Sequence, residues 1–262
     1  MAFKHPSSKS ELLALTQSLP PDSFFQEHSR ARELDYIERS YGRWMEVIAL
    51  AKKNLGDTKT LSCLDVGCSP FTFLLQGYFK EVSVLDLTDS YRSRCEASGI
   101  KLYGGGVTSD SAVSRIGKVD CVFCLEVLEH LHANPVEVIG RLRSVLRSGG
   151  ALILSTPNMM CFANRVNMLL NKRLRHFTYP PFSENDPAHG FAHDRIYSPA
   201  ELEDYFRESG FGRVKTSYLY HFNDIRLVGL PPWRRLVGGM VQSLKGVVPS
   251  FRDSTVMLGF QK

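Results

Sequence analysis

The chain has 262 residues, with 32 Lys plus Arg against 27 Asp plus Glu and a formal net charge of +5. At 43% hydrophobic and 23% charged residues it has ordinary globular composition, which excludes a disordered, collagen-like or disulfide-scaffold chain. No window approaches ~18 uninterrupted apolar residues, so no membrane-spanning helix is expected, and the basic start lacks the apolar stretch of a secretory leader. The expected compartment is the cytoplasm.

Residues 1–60 read as a helical N-terminal extension. Trp44, Val47, Ile48, Ala51 and Leu55 recur at helical spacing, which predicts an amphipathic helix over 42–55. From 61 to 157 strands and helices alternate. Apolar runs at 61–66, 82–86, 100–103, 119–124 and 151–155 read as strands, with helices at 71–79, 89–98 and 135–147. The last helix carries Val136, Ile139, Leu142, Val145 and Leu146 on one face, and Gly149-Gly150 is its expected C-terminal stop. Such alternation predicts an α/β fold, a doubly wound and mostly parallel sheet with helices on both faces.

The region 158–262 reads as a helical cap that shapes the substrate site, together with the last strands of the sheet. A helix is expected over 158–171, then a loop rich in His, Pro and aromatics to 197. Ser198-Pro199-Ala200-Glu201 is a capping box with Pro at the first helical position, which opens a helix to about 209. A strand at 214–220, a further element at 231–248 and a final strand at 254–261 complete the chain. Cys121 and Cys124 form a CxxC, but a strand sends those two side chains to opposite faces. With no second CxxC, no zinc site is expected there.

The first strand ends in Leu64-Asp65-Val66-Gly67-Cys68-Ser69-Pro70-Phe71. A tight Gly turn that opens a helix is how such sheets receive a nucleotide-like ligand. Asp86, 19 residues after Gly67, closes the second strand, where a carboxylate can accept both hydroxyls of a ribose. A dinucleotide fingerprint would need glycine at positions 69 and 72, which are Ser and Thr. A ribose-bearing ligand without a pyrophosphate therefore fits better than NAD.

These segments, with Val84-Leu85-Asp86-Leu87, Val119-Asp120-Cys121-Val122, Cys124-Leu125-Glu126-Val127-Leu128-Glu129-His130 and Leu146-Arg147-Ser148-Gly149-Gly150, resemble the class I S-adenosylmethionine (SAM)-dependent methyltransferases. The resemblance implies a seven-stranded Rossmann-like methyltransferase fold, an antiparallel last strand at 255–260, and SAM as cofactor. It implies that Asp65, Gly67, Cys68 and Ser69 surround the methionine part, that Asp86 and Leu87 meet the ribose side, and that Leu125 and Glu126 form the adjoining loop. Ser69-Pro70-Phe71 departs from the family's usual Gly-x-Gly.

On a helix, Glu126, Glu129 and His130 would share one face and could converge on one divalent cation, Mg²⁺ or Mn²⁺. This pattern resembles ubiquinone-biosynthesis O-methyltransferases and small-RNA 3′-terminal 2′-O-methyltransferases, where a further distant His takes part; His189 or His193 is the counterpart expected here. The segment around His193 also resembles that of methyltransferases of glycan and lipid-linked sugar pathways. A His titrating near neutrality can take the acceptor proton, which makes His193 the expected general base.

Asn164, Arg165, Lys172, Arg173, Arg175 and His176 form a basic, polar stretch that suits a phosphate- or sugar-bearing acceptor. At 231–248, Trp233, Leu236, Val237, Met240, Val241 and Leu244 make an apolar stripe that fits a membrane surface, a core or a homodimer contact. The sequence thus points to SAM-dependent O-methylation of a sugar, glycolipid or small molecule. A metal-assisted RNA 3′-terminal 2′-O-methyltransferase and a SAM-binding protein without turnover are the alternatives. The modest charge, without an aromatic-interleaved basic patch, speaks against nucleic acid.

Overall fold

A computed structural model describes residues 6–18, 30–174, 193, 195–219 and 231–262. Two helices, α1 (Lys9–Ser18) and α2 (Arg30–Leu55), precede the first strand. There follow β1 (Ser62–Val66), α3 (Pro70–Leu75), β2 (Glu81–Asp86), α4 (Arg92–Ala97), β3 (Lys101–Gly104), α5 (Asp110–Val113), β4 (Val119–Leu125), α6 (Pro135–Ser144) and β5 (Leu146–Pro157). The chain ends with α7 (Phe162–Leu169), α8 (Pro199–Glu208), β6 (Arg213–Leu219), α9 (Pro232–Val247) and β7 (Ser254–Phe260).

The seven strands form one sheet in the order β3-β2-β1-β4-β5-β7-β6. The pairs from β3 to β5 are parallel, and β7 runs antiparallel to both β5 and β6. This is the expected mostly parallel, doubly wound arrangement. The order reverses between β1 and β4, and there the carboxyl ends of the strands leave a crevice for a ligand.

Both faces of the sheet are covered, which is why its central strands are continuous apolar runs. On one face Cys63, Cys121, Phe123 and Ile153 pack against α2, α3 and α4. On the other, Leu64, Val122, Cys124 and Leu152 pack against α5, α6 and α8. Cys121 and Cys124 therefore do point opposite ways, and all six cysteines are buried free thiols.

Helix α2 is longer than its sequence periodicity suggested and is bound tightly to the core. Its Trp44 lies 5.9 Å from the Phe71 ring, which in turn meets Phe123 edge-on at 5.4 Å. A buried ion pair, Arg94 Nη1 to Glu33 Oε1 at 2.5 Å, ties α2 to α4.

Gly149-Gly150 does not stop a helix. Helix α6 ends at Ser144, and both glycines belong to β5, where Gln261 N–H donates to the Gly150 carbonyl at 2.9 Å. A Cβ on Gly150 would stand 2.8 Å from the Asp120 carbonyl, so close backbone approach explains this glycine. The capping box at Ser198 forms as expected, with Glu201 reaching back to the Ser198 N–H at 2.9 Å.

Candidate active site

The turn after β1 is built by backbone necessity. Gly67 has φ +86°, a conformation that L side chains avoid, and a Cβ there would press on Val127 at 3.3 Å. Its N–H donates to the Leu85 carbonyl at 2.9 Å, and the next N–H, of Cys68, donates to Asp86 Oδ2 at 2.7 Å. Asp86 Oδ1 accepts from the Thr88 N–H at 2.7 Å. The Thr88 hydroxyl also donates to Oδ1, at 3.0 Å, while Oδ2 takes a single donor among the described residues and keeps further acceptor capacity, so Asp86 fixes the turn and can still take a ligand hydroxyl.

Ser69-Pro70-Phe71 departs from Gly-x-Gly without closing the crevice. Ser69 is the N-cap of α3: its Oγ accepts from the Phe71 N–H at 3.2 Å, and its N–H donates to Thr72 Oγ1 at 3.1 Å. Pro70 takes the first helical position, where no N–H is needed. The Phe71 ring turns inward and is buried. A helix cap replaces the glycines.

A cavity of about 590 Å³ opens beside this turn, a size typical of small-molecule sites. Asp65, Gly67, Cys68, Ser69, Leu125 and Glu126 line it. Asp86 and Leu87 do not. Asp86 stands behind Cys68, and Leu87 projects into solvent. Asp65 is buried and accepts from the Thr72 hydroxyl at 2.6 Å; burial pushes its carboxyl up to about 7.

Three lining residues come from α2: Tyr36, Arg43 and Trp44. Sequence reading missed Tyr36 and Arg43. Their spacing of seven residues, with Trp44 one further on, places them on the stripe already drawn for the helix, which needed only extension toward its start. Arg43 reaches Glu126 at 3.4 Å, and the Ser155 hydroxyl donates to Glu126 at 2.8 Å. Glu126 has φ +55°, an uncommon backbone state for a non-glycine residue, of a kind concentrated at functional sites.

That geometry corrects the expected shared face of Glu126, Glu129 and His130. No α-helix runs through them; Leu128–His130 is a single 3-10 turn. Glu126 turns to Arg43 and Ser155. The group that does gather is Glu129, His130 and His193, whose candidate ligand atoms all lie within 4.8 Å of one another. The two imidazole rings meet edge-on with centroids 4.8 Å apart. Glu129 is fully buried beside the Thr156 hydroxyl and within reach of the Arg43 charge, and neither carboxylate oxygen has a well-formed hydrogen bond among the described residues. Burial, and then the charge of Glu126, push the Glu129 carboxyl well above the usual carboxylate range. His130 also lines the cavity, so this cluster stands at its wall. His189 lies outside the described residues.

Part of the basic stretch is structural. Asn164 is buried with its amide donating to the Met159 carbonyl at 3.0 Å, and Arg165 Nε donates to Met160 at 2.7 Å. Lys172 and Arg173 are exposed, while Arg175 and His176 fall outside the described residues.

The strand order, the Gly67 turn with Asp86 behind it, and the cavity that opens beside that turn define a class I SAM-dependent methyltransferase. The chain belongs to the methyltransferase-domain family, whose model matches residues 34–216. It is 32% identical over 102 residues to a ubiquinone biosynthesis O-methyltransferase of Xanthomonas axonopodis pv. citri, a match that covers 36% of this chain and 42% of that relative. Among solved structures, a SAM-dependent methyltransferase from Archaeoglobus fulgidus shares the fold with TM-score 0.54 and 16% identity, covering 86% of this chain and 98% of that one. The methyltransferase in a complex with the Trm112 activator from Haloferax volcanii aligns with TM-score 0.59 and 14% identity, over 92% and 99% of the two chains.

Proposed function

We propose that the protein transfers the SAM methyl group to a hydroxyl of a sugar, glycolipid or small molecule. The observation that carries the oxygen acceptor is the Glu129–His130–His193 cluster at the cavity wall, because an alcohol, unlike an amine, must shed its proton near the moment of attack. The local match to an O-methyltransferase supports the same reading.

On this reading Asp65 faces the methionine ammonium, the Gly67–Ser69 turn wraps the sulfonium end, and Asp86 takes the ribose hydroxyls. The acceptor oxygen attacks the methyl carbon in line with the departing sulfur. The C–S electron pair stays on sulfur, which leaves S-adenosylhomocysteine, and the hydroxyl proton passes to His193. The protein's main contribution is alignment of the two centres.

A second reading is favoured by the weakly satisfied carboxylate of Glu129. One buried carboxylate and two imidazoles are a donor set that suits Mn²⁺ or Zn²⁺ better than Mg²⁺. Glu129, His130 and His193 would hold the ion. When bound, it would supply a lowered pKa for the acceptor hydroxyl.

The test is transfer of a labelled methyl group from SAM to a panel of phenols, sugar lipids and RNA 3′ ends, with and without EDTA. Transfer to a hydroxyl that His193→Ala lowers at least ~100-fold, a typical share for a general base, supports the first reading; loss with EDTA and recovery with Mn²⁺ selects the second. Transfer to nitrogen alone overturns both. Transfer to RNA ends moves the protein to terminal 2′-O-methylation, and SAM binding with no transfer makes it a binding protein.

A further inference from the structure

Helix α9 is mounted inside out. At about 100° per residue, Gly238 and Lys245 fall on the same side of the helix, and these are its buried residues. That side is fastened by an ion pair rather than by apolar packing: Lys245 Nζ meets Asp253 Oδ2 at 2.6 Å, both side chains buried. The apolar residues lie on the opposite side. Trp233, Leu236, Val237, Met240, Leu244 and Val247 are all exposed, Leu236 at 67% and Val247 at 80%. An ordinary surface helix does the reverse and turns its apolar stripe to the core.

The charge carried by this helix and its C-terminal turn has one sign. Between positions 231 and 252 there is no Asp or Glu, and Arg234 and Arg235 are exposed. A second exposed apolar group, Met168, Leu169 and Leu170, ends α7 and leads into the exposed Lys172 and Arg173, again with no acidic residue from 158 to 174. The two elements share a footing. Phe162 of α7 meets Phe251 at 5.5 Å, and α9 runs directly into the turn Pro249–Phe251. The chain then enters β7 at Ser254, which pairs with Pro157 at the carboxyl end of β5, the end at which the cavity opens.

We propose that the outward face of α9, with the tail of α7, docks on the surface of an anionic phospholipid bilayer. The apolar stripe enters the acyl boundary, and Arg234, Arg235, Lys172 and Arg173 meet the phosphates. Four exposed cations, Arg234, Arg235, Lys172 and Arg173, with no acid in either segment, complement an anionic surface, which is the reason for this choice of occupant. The helix lies on the bilayer and does not cross it: no described helix is long and apolar enough to span. This docking stands independently of the acceptor assigned above.

The chain has two tryptophans, one buried (Trp44) and one exposed on this face (Trp233), so intrinsic fluorescence reports on α9. The full chain is mixed with vesicles of phosphatidylcholine alone or with about one-third phosphatidylglycerol. The expected result is a blue shift and at least roughly tenfold stronger co-sedimentation with the anionic vesicles, weakened by salt. L236D/M240D, both positions exposed, loses this binding while its circular dichroism and SAM binding are unchanged. No partition into anionic vesicles overturns the proposal, as does equal partition of the double variant. A stable dimer in sedimentation velocity that L236D/M240D disperses assigns the face to a second copy and also overturns it.

Discussion

The two sides of the cavity differ in how completely their polar groups are satisfied. On the cofactor side Asp86 accepts from Cys68 and Thr88, Asp65 accepts from Thr72, and Ser69 and Thr72 cap α3 reciprocally. On the acceptor side the buried Glu129 carboxylate has no well-formed hydrogen bond among the described residues, and Glu126 sits at positive φ. One side is finished by the chain itself. The other keeps a weakly satisfied buried carboxyl beside two imidazoles, an arrangement that costs stability and is consistent with the proposed chemistry.

Substitutions should separate the two sides. The largest effect is expected at Phe71, whose ring bridges Trp44 and Phe123 beneath the cofactor turn. Phe71→Ala should remove about 3–5 kcal/mol of stability in denaturant unfolding, with loss of SAM binding in step. Gly67→Ala should follow. The strained φ and the Val127 contact should cost about 1–3 kcal/mol, read as a lowered unfolding midpoint, and SAM affinity should fall with it.

Asp65 gives a pH signature. Its carboxyl is raised to about 7 in the folded protein, so the folded state binds the extra proton and stability declines as pH climbs from the ordinary carboxylate range to about 7. If Asp65 faces the SAM ammonium as proposed, that pairing needs the ionised form, so SAM affinity should rise with pH up to about 7 and then level off. Below that point it should fall by up to about tenfold per pH unit. Asp65→Asn should flatten both profiles, raise the stability of the SAM-free protein above pH 7 and leave only weak binding. Calorimetry across pH checks each part.

The smallest change in stability, with the opposite sign, is expected at Glu129. Glu129→Met replaces a buried carboxyl that lacks a well-formed hydrogen bond with an apolar chain of similar length and should stabilise the protein by about 1–2 kcal/mol. SAM binding should survive while methyl transfer is lost. Lower stability in this variant would mean that the carboxylate has a structural partner.

Much of the cofactor side was legible in the sequence, because the requirements there are local. A positive-φ glycine, an acidic strand end and apolar runs bounded by Gly and Asp leave marks within a few residues. Ser69-Pro70-Phe71 was harder: the same three residues read as a blocked glycine turn or as a helix cap, and only the inward turn of Phe71 decides between them. The share of α2 in the cavity arises from packing between distant segments, so Tyr36 and Arg43 were overlooked. The acceptor side was misread for a physical reason. A helical period was applied to Glu126–His130, where the chain instead leaves β4 with a positive φ and makes a single 3-10 turn. His193 joins His130 across more than sixty residues of chain, a proximity that the family resemblance implied, with His189 as the alternative, and that no local pattern carries. The stripe on α9 was visible, but its direction was not.

The most direct test of the SAM-site assignment is calorimetric titration with S-adenosylhomocysteine, comparing the wild-type protein with Asp86→Ala. The variant removes the acceptor proposed for the ribose hydroxyls and also leaves the Cys68 and Thr88 N–H groups without their partner. Stoichiometric binding by the wild type, weakened by about two to three orders of magnitude in a variant that still folds, is the predicted result. Absence of binding by the wild type would contradict the placement of SAM in this cavity, and unchanged affinity in Asp86→Ala would contradict the ribose role proposed for Asp86.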